Sequence, residues 1–211
     1  TNQLLCNGQN TASINFSTQN TGGTTNYSWI NDSPSIGLGL SGTGDINPFV
    51  ASNSGTSPVT ATISVTPHFE NSSMVCTGAT VTFTITVNPA GQVNQPSSQN
   101  LCNGNSSSPV NFTTNNIGGS TTYDWSHNAP GIGLTTSGSG DIPSFNAVNT
   151  GTSPVVATIV VTPHFENGSV SCDGDTKNFT ITVNPLGQVN QPSNQVVCHN
   201  ALTTLVSFTT L

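Results

Sequence analysis

A histidine, a phenylalanine and a glutamate stand in line at His68, Phe69 and Glu70. The same three return at His164, Phe165 and Glu166, inside an identical VTPHFEN phrase. An imidazole beside a carboxylate can shuttle a proton or help hold a metal ion. Neither chemistry is completed here. No nucleophile and no third ligand recurs with the pair, and the phrase lies at the end of a predicted strand entering a hairpin. It reads as structural or surface-forming. SGTGDI at 41–46 and SGSGDI at 137–142 look like phosphate loops only in their glycines. No GK[ST] follows and no helix is predicted to present a backbone cradle. Asp45 and Asp141 are expected to make Asx-type turn hydrogen bonds. Calcium is the sharper alternative for these aspartates, but such sites need several converging carboxylates. One repeated Asp and a distant Glu are too few. The expectation is no catalytic residue, no metal ligand and no cofactor.

The cysteines are the remaining reactive groups: Cys6, Cys76, Cys102, Cys172 and Cys198. Two pairings respect their periodic spacing. Bridges within a unit would be Cys6–Cys76 and Cys102–Cys172; bridges across units would be Cys76–Cys102 and Cys172–Cys198. The segment 79–89 reads as a long strand that carries the chain about 30 Å from Cys76 before the next unit starts, whereas bridged Cα atoms must lie within about 7 Å. In an immunoglobulin-like sandwich the first strand and the last hairpin are expected to share one end. The within-unit pairing is therefore predicted, with buried free thiols as the alternative. No CxxC occurs, which argues against zinc. A disulfide implies an oxidising, extracytoplasmic setting.

What must position these groups is a tandem repeat. Residues 1–96 laid over 97–192 match at 58 positions with no insertion or deletion. Cys6, Cys102 and Cys198 head three copies of one phrase, and VNPAGQVNQPS at 87–97 returns as VNPLGQVNQPS at 183–193. A fixed period of this size means serial structural units. The expected organisation is one repeat at 1–92, a second at 93–188, and the first strands of a truncated third at 189–211.

Within a repeat, apolar residues alternate with Thr and Ser: Ile14 and Phe16; Tyr27 and Trp29; Ala61, Ile63 and Val65; Val81, Phe83, Ile85 and Val87. A period of two marks half-buried strands. Turn-forming runs fall between them, and no stretch has helical periodicity. The fold class predicted is all-β: tandem Ig-like Greek-key sandwiches of about seven strands each, arranged as a rod. Tyr27, Trp29, Tyr123 and Trp125 are predicted core aromatics. Exposed tryptophans would instead suit a sugar-stacking platform. The junction NPAGQVNQPSSQNLC is short, and Pro89 and Pro96 restrict their neighbours to extended backbone. A stiff joint is expected.

Composition narrows the function classes. The 211 residues hold one Lys, no Arg and eight acids, for a net charge of −7. Nucleic acid and anionic membrane surfaces need the cations this chain lacks. Trypsin-like proteases find almost nothing to cut. No apolar run approaches a membrane span.

The phrases QPSNQVVCHN, SGSGDIPSFNAVNTGTSPVVATIVVTP and NFTITVNP resemble the PKD-like, immunoglobulin-fold repeats of very long secreted and cell-surface proteins of Bacteroidota. That resemblance implies adhesin, gliding or matrix roles, export by the type IX system, and no catalytic residue. Three readings follow. The first is a non-enzymatic stalk or fibre module outside the cell, whose partners are neighbouring repeats. The second is a filament subunit that packs against or exchanges strands with copies of itself. The third is a carbohydrate-binding module of a secreted enzyme, with surface glycans as partner.

Overall fold

The computed structural model describes residues 2–210. The first repeat contains β1 (Gln3–Cys6), β2 (Thr24–Asn31), β3 (Ser41–Thr43), β4 (Val59–Asn71), β5 (Met74–Thr77) and β6 (Val81–Asn88). The second contains β7 (Gln99–Cys102), β8 (Ser120–His127), β9 (Ser137–Ser139), β10 (Val155–Asn167), β11 (Val170–Asp173) and β12 (Lys177–Asn184). Each set forms its own sheet, ordered β1-β6-β4-β2-β3 in the first, with β5 extending the far end of β4. The second sheet repeats that order strand for strand.

The protein is all-β, two sandwiches of six strands each rather than about seven. The shortfall lies in the layer facing the sheet. Residues around 10–14 and 46–50 run past one another there and pair in isolated bridges, Asn10 with Val50 and Ile14 with Ile46. Backbone bonds such as Thr11 N–H to Phe49 O and Ala51 N–H to Gln9 O are interrupted where Phe49 N–H turns to the Thr11 hydroxyl, so no continuous ladder forms. They still carry Ile14 and Ile46 into the core.

Alternation decides what is buried. Along β4 the inward positions Ala61, Ile63 and Val65 are inaccessible or nearly so, and along β6 so are Ile85 and Val87. Trp29 of β2 is 8% exposed and Trp125 of β8 is 6% exposed. Each indole lies flat over a glycine of the neighbouring strand, Gly42 or Gly138; a Cβ there would strike the ring. Tyr123 is buried and Tyr27 is half-buried. The third reading needed exposed tryptophans, and these rings are in the core.

One pairing sets the geometry of everything below. β1 runs parallel to β6, with Cys6 opposite Asn88 at the C-terminal end of that strand. β5 pairs with the other end of β4, where Cys76 faces Phe69. Cys6 therefore stands near the Val59 end of β4, and Cys76 stands ten residues along it. At about 3.3 Å per residue that is about 33 Å. The first strand and the last hairpin lie at opposite ends of the sandwich, and a Cys6–Cys76 bridge is impossible.

Residues 189–210 form no strand, where two were expected. Their internal bonds, Asn190 N–H to Thr209 O and Gln195 to Thr204, copy those made by Asn94 with Thr113 and Gln99 with Ser108. Among the described residues no helix is long and apolar enough to cross a membrane.

Candidate functional site: the junction between repeats

The disulfide of this protein joins Cys6 of the first repeat to Cys172 of the second, with Cα atoms 5.5 Å apart. Cys76 and Cys102 are free and exposed. Both predicted bridges, Cys6–Cys76 and Cys102–Cys172, are thereby corrected, and the cross-unit alternative is not formed either. The bond connects the strand heading one unit to the hairpin of the next. It follows from the parallel setting of β1, which brings Cys6 to the junction end of its own sandwich.

Around this bond the junction is tied on several sides. The Asn88 amide donates to the Asn167 carbonyl at 3.1 Å, and the Asn167 amide returns to Asn88 Oδ1 at 3.0 Å. Ile117 N–H also donates across the junction to Thr56 O at 2.8 Å. The connecting segment is held too. Gly91 N–H donates to Cys172 O at 3.1 Å, and Gln92 N–H donates to Asn116 Oδ1 at 2.7 Å. Gly91 and Gly174 touch backbone to backbone, so that a Cβ on Gly174 would fall on the Gly91 carbonyl. Glycine is required there for close approach. Val93, the next apolar residue of the connection, is 6% exposed and belongs to the second core. Several hydrogen bonds across the junction, plus a covalent link, restrict the freedom to swing.

The VTPHFEN residues contribute to this region without forming a reaction centre. The Phe165 ring is fully buried, whereas its counterpart Phe69 is half-buried. His164 Nδ1 lies 2.7 Å from Asp173 Oδ1, and its Nε2 lies 3.4 Å from Asp124 Oδ2 without hydrogen-bond geometry. In the first repeat the same ring meets hydroxyls, Ser28 Oγ at 2.9 Å and Thr77 Oγ1 at 3.3 Å. Both aspartates are replaced together, so each histidine keeps two polar neighbours. Glu70 and Glu166 are exposed. Among the described residues no three His, Cys, Asp or Glu side chains are placed to hold a metal ion.

Asp45 and Asp141 do not close local Asx turns. Their Oδ1 atoms accept the N–H of Phe16 and Phe112, each at 2.8 Å, beside the Ile14–Ile46 and Val110–Ile142 bridges. They hold the two segments of the irregular layer together. Burial pushes the Tyr123 phenol up from its ordinary value; the hydrogen bond with Thr114 works against that and the nearby Asp141 charge adds to it.

Sequence reasoning missed the asparagine pair and the two facing glycines. A signal was present. Asn88, Gly91 and Gly78 all recur one period later, the last within tetrapeptides, CTGA and CDGD, that otherwise keep only the cysteine.

No family model and no curated protein matches the sequence. Among solved structures, the chain is similar to three N-terminal domains of the bacteriophage RB49 highly immunogenic outer capsid protein, at 12% identity over 88% of this chain and 67% of that one, TM-score 0.47. It is also similar to the insect immune protein hemolin, at 18% identity over 88% of this chain and 45% of that one, TM-score 0.34. A third is human protocadherin-24 EC1-2, at 12% identity over 88% and 94%, TM-score 0.38. The fold is all-β, two tandem sandwiches of six strands each.

Proposed function

We propose that this chain is a non-enzymatic structural and adhesive module, a stretch of a stalk or fibre outside the cell. The observation that carries the reading is the disulfide between repeats: Cys6–Cys172 fastens one sandwich to the next where most folds bridge within a domain. Such a bond resists extension and bending of a series of units and adds little to any single binding pocket. The reciprocal Asn88–Asn167 bonds and the seated connection work in the same direction. A thiol-oxidising location agrees with it. So does a nearly lysine- and arginine-free surface, which offers trypsin-like proteases few sites. The PKD-like resemblance points to surface proteins of Bacteroidota.

Small-angle X-ray scattering of the chain, oxidised and reduced, tests the rod. The expected result is a rigid two-body profile when oxidised and a broader distribution of end-to-end distances after reduction. Identical, flexible profiles in both states would remove the mechanical basis of the reading. Electron microscopy of the producing cells with antibody against folded repeats then tests the location, with labelled threads at the surface as the expected outcome.

A further inference from the structure

Asparagine followed by glycine is a chemically labile pair, because glycine sets no Cβ beside the backbone nitrogen that attacks the side-chain amide. The chain has three such pairs: Asn7–Gly8, Asn103–Gly104 and Asn167–Gly168. The first two occupy equivalent positions of the two repeats and are locked alike. Gly8 N–H donates to Ala51 O at 2.7 Å, and Gly104 N–H donates to Ala147 O at 2.8 Å. Their asparagine oxygens are engaged as well. Asn7 Oδ1 accepts the Asn53 N–H at 2.8 Å, and Asn103 Oδ1 accepts the Asn149 N–H at 2.9 Å.

Asn167–Gly168 is held differently. Asn167 pairs with Val170 to close the β10–β11 hairpin, and Gly168 and Ser169 form its turn, with φ of 59° and 67°. Both turn residues are exposed. Among the described residues no acceptor takes the Gly168 N–H, and no donor reaches Asn167 Oδ1. The Asn167 side chain is fixed only through its nitrogen, which donates to Asn88 Oδ1 at 3.0 Å. The glycine has a structural cause: a Cβ there would strike the Leu4 side chain of the first repeat. The hairpin of the first repeat has Asn71–Ser72 at this place, where a side chain crowds the attack. The residue that lets the hairpin lie against the neighbouring sandwich therefore also makes Asn167 reactive.

We propose that Asn167 is a site of spontaneous deamidation, a modification that loosens the junction as the protein ages. The Gly168 nitrogen, its proton taken by hydroxide, attacks Asn167 Cγ. The Cγ–Nδ2 bond breaks and ammonia leaves, giving a succinimide. Water then opens the ring at either carbonyl. Cleavage of the new bond gives aspartate, and cleavage of the original peptide bond gives isoaspartate, with one more carbon in the main chain. The net change is amide plus water to carboxylic acid plus ammonia, with no oxidant or reductant. Either product ends the reciprocal bonding. A carboxylate has no N–H for Asn88 Oδ1, and Asn88 has no exposed surface on which water could replace it. The buried oxygen then faces a negative charge. The Cys6–Cys172 bond, farther along the hairpin, is untouched and keeps the repeats linked. A stiff joint becomes a tethered hinge. The reaction stands on the geometry of the junction alone; its mechanical meaning rests on the stalk reading above.

The test ages the full, oxidised chain in mildly alkaline buffer and follows it by peptide mapping and isoaspartate-specific enzymatic methylation. Attack at Asn7 or Asn103 must first break hydrogen bonds that Gly168 and Asn167 Oδ1 do not make. Asn167 is therefore expected to convert about tenfold faster than either, or more. Conversion of all three at equal rates, or an intact Asn167, overturns the proposal. Asn167→Asp supplies the product side chain directly. Its scattering is expected to match that of the aged chain, both with a broader distribution of end-to-end distances than the fresh protein. A chain converted at 167 that scatters as the fresh one does overturns the loosening. A fresh chain that is already flexible sinks the stalk reading instead, and the order of conversion still decides the site.

Discussion

Asn88 and Asn167 hold each other across the junction. Each side-chain amide donates to the other residue, one to a backbone carbonyl and one to a side-chain oxygen. Asn88 has no exposed surface, so its oxygen depends on Asn167 for a partner. Asn167→Ala is expected to cost about 1–2 kcal/mol, because it strands a buried acceptor. Urea denaturation reads this as a lowered midpoint. Asn71→Ala, at the equivalent position of the first repeat, should leave the midpoint where it was.

Reduction is the larger intervention. The Cys6–Cys172 bond closes a loop across 166 residues of sequence, for which chain entropy allows up to about 5 kcal/mol of stabilisation. Cys6→Ser is expected to separate the melting of the two repeats into distinct calorimetric transitions and to lower the first. Cys76→Ser should change nothing beyond about 0.5 kcal/mol. If both variants melted alike, the bond would have no coupling role.

Gly174 and Gly78 occupy the same position in successive repeats but differ in surroundings. A Cβ on Gly174 would meet the Gly91 backbone, whereas one on Gly78 meets the Pro67 side chain. Backbone has nowhere to move. Gly174→Ala is expected to destabilise the junction by about 1–3 kcal/mol or more, and to widen the scattering-derived distance distribution. Gly78→Ala should be milder on both readouts.

Trp29 is core, packed on Gly42. Trp29→Ala is expected to cost about 3–5 kcal/mol and to unfold the first repeat alone. Fluorescence from Trp125 would report that the second remains folded. A first repeat that tolerated the change while losing binding to a glycan array would revive the sugar-stacking reading.

The buried Tyr123 phenol gives a pH prediction. Its value is raised in the folded state, so the folded form holds its proton more tightly than the unfolded one. The associated stability is complete below the ordinary tyrosine value near 10 and is lost as pH rises through the folded value. Thermal melts of the second repeat should fall above about pH 10, and Tyr123→Phe should flatten that part of the profile.

The sequence by itself determined the repeat, the class of fold and the identity of the core. Alternation in ATISV and FTITV dictates which side chains turn inward, because the period of a strand is a local property. The burial of Trp29 follows from that pattern together with a glycine on the adjoining strand. Only the tertiary structure decided how the cysteines pair. QLLC carries no local sign of whether it runs parallel or antiparallel to its neighbour, since that is set by backbone ladders between segments about 80 residues apart. Parallel alignment with β6 sends Cys6 away from its own hairpin and towards the next repeat's. The rotation of one sandwich on the other then brings Cys172 within bonding distance, and no periodicity within a single unit encodes a contact made between two.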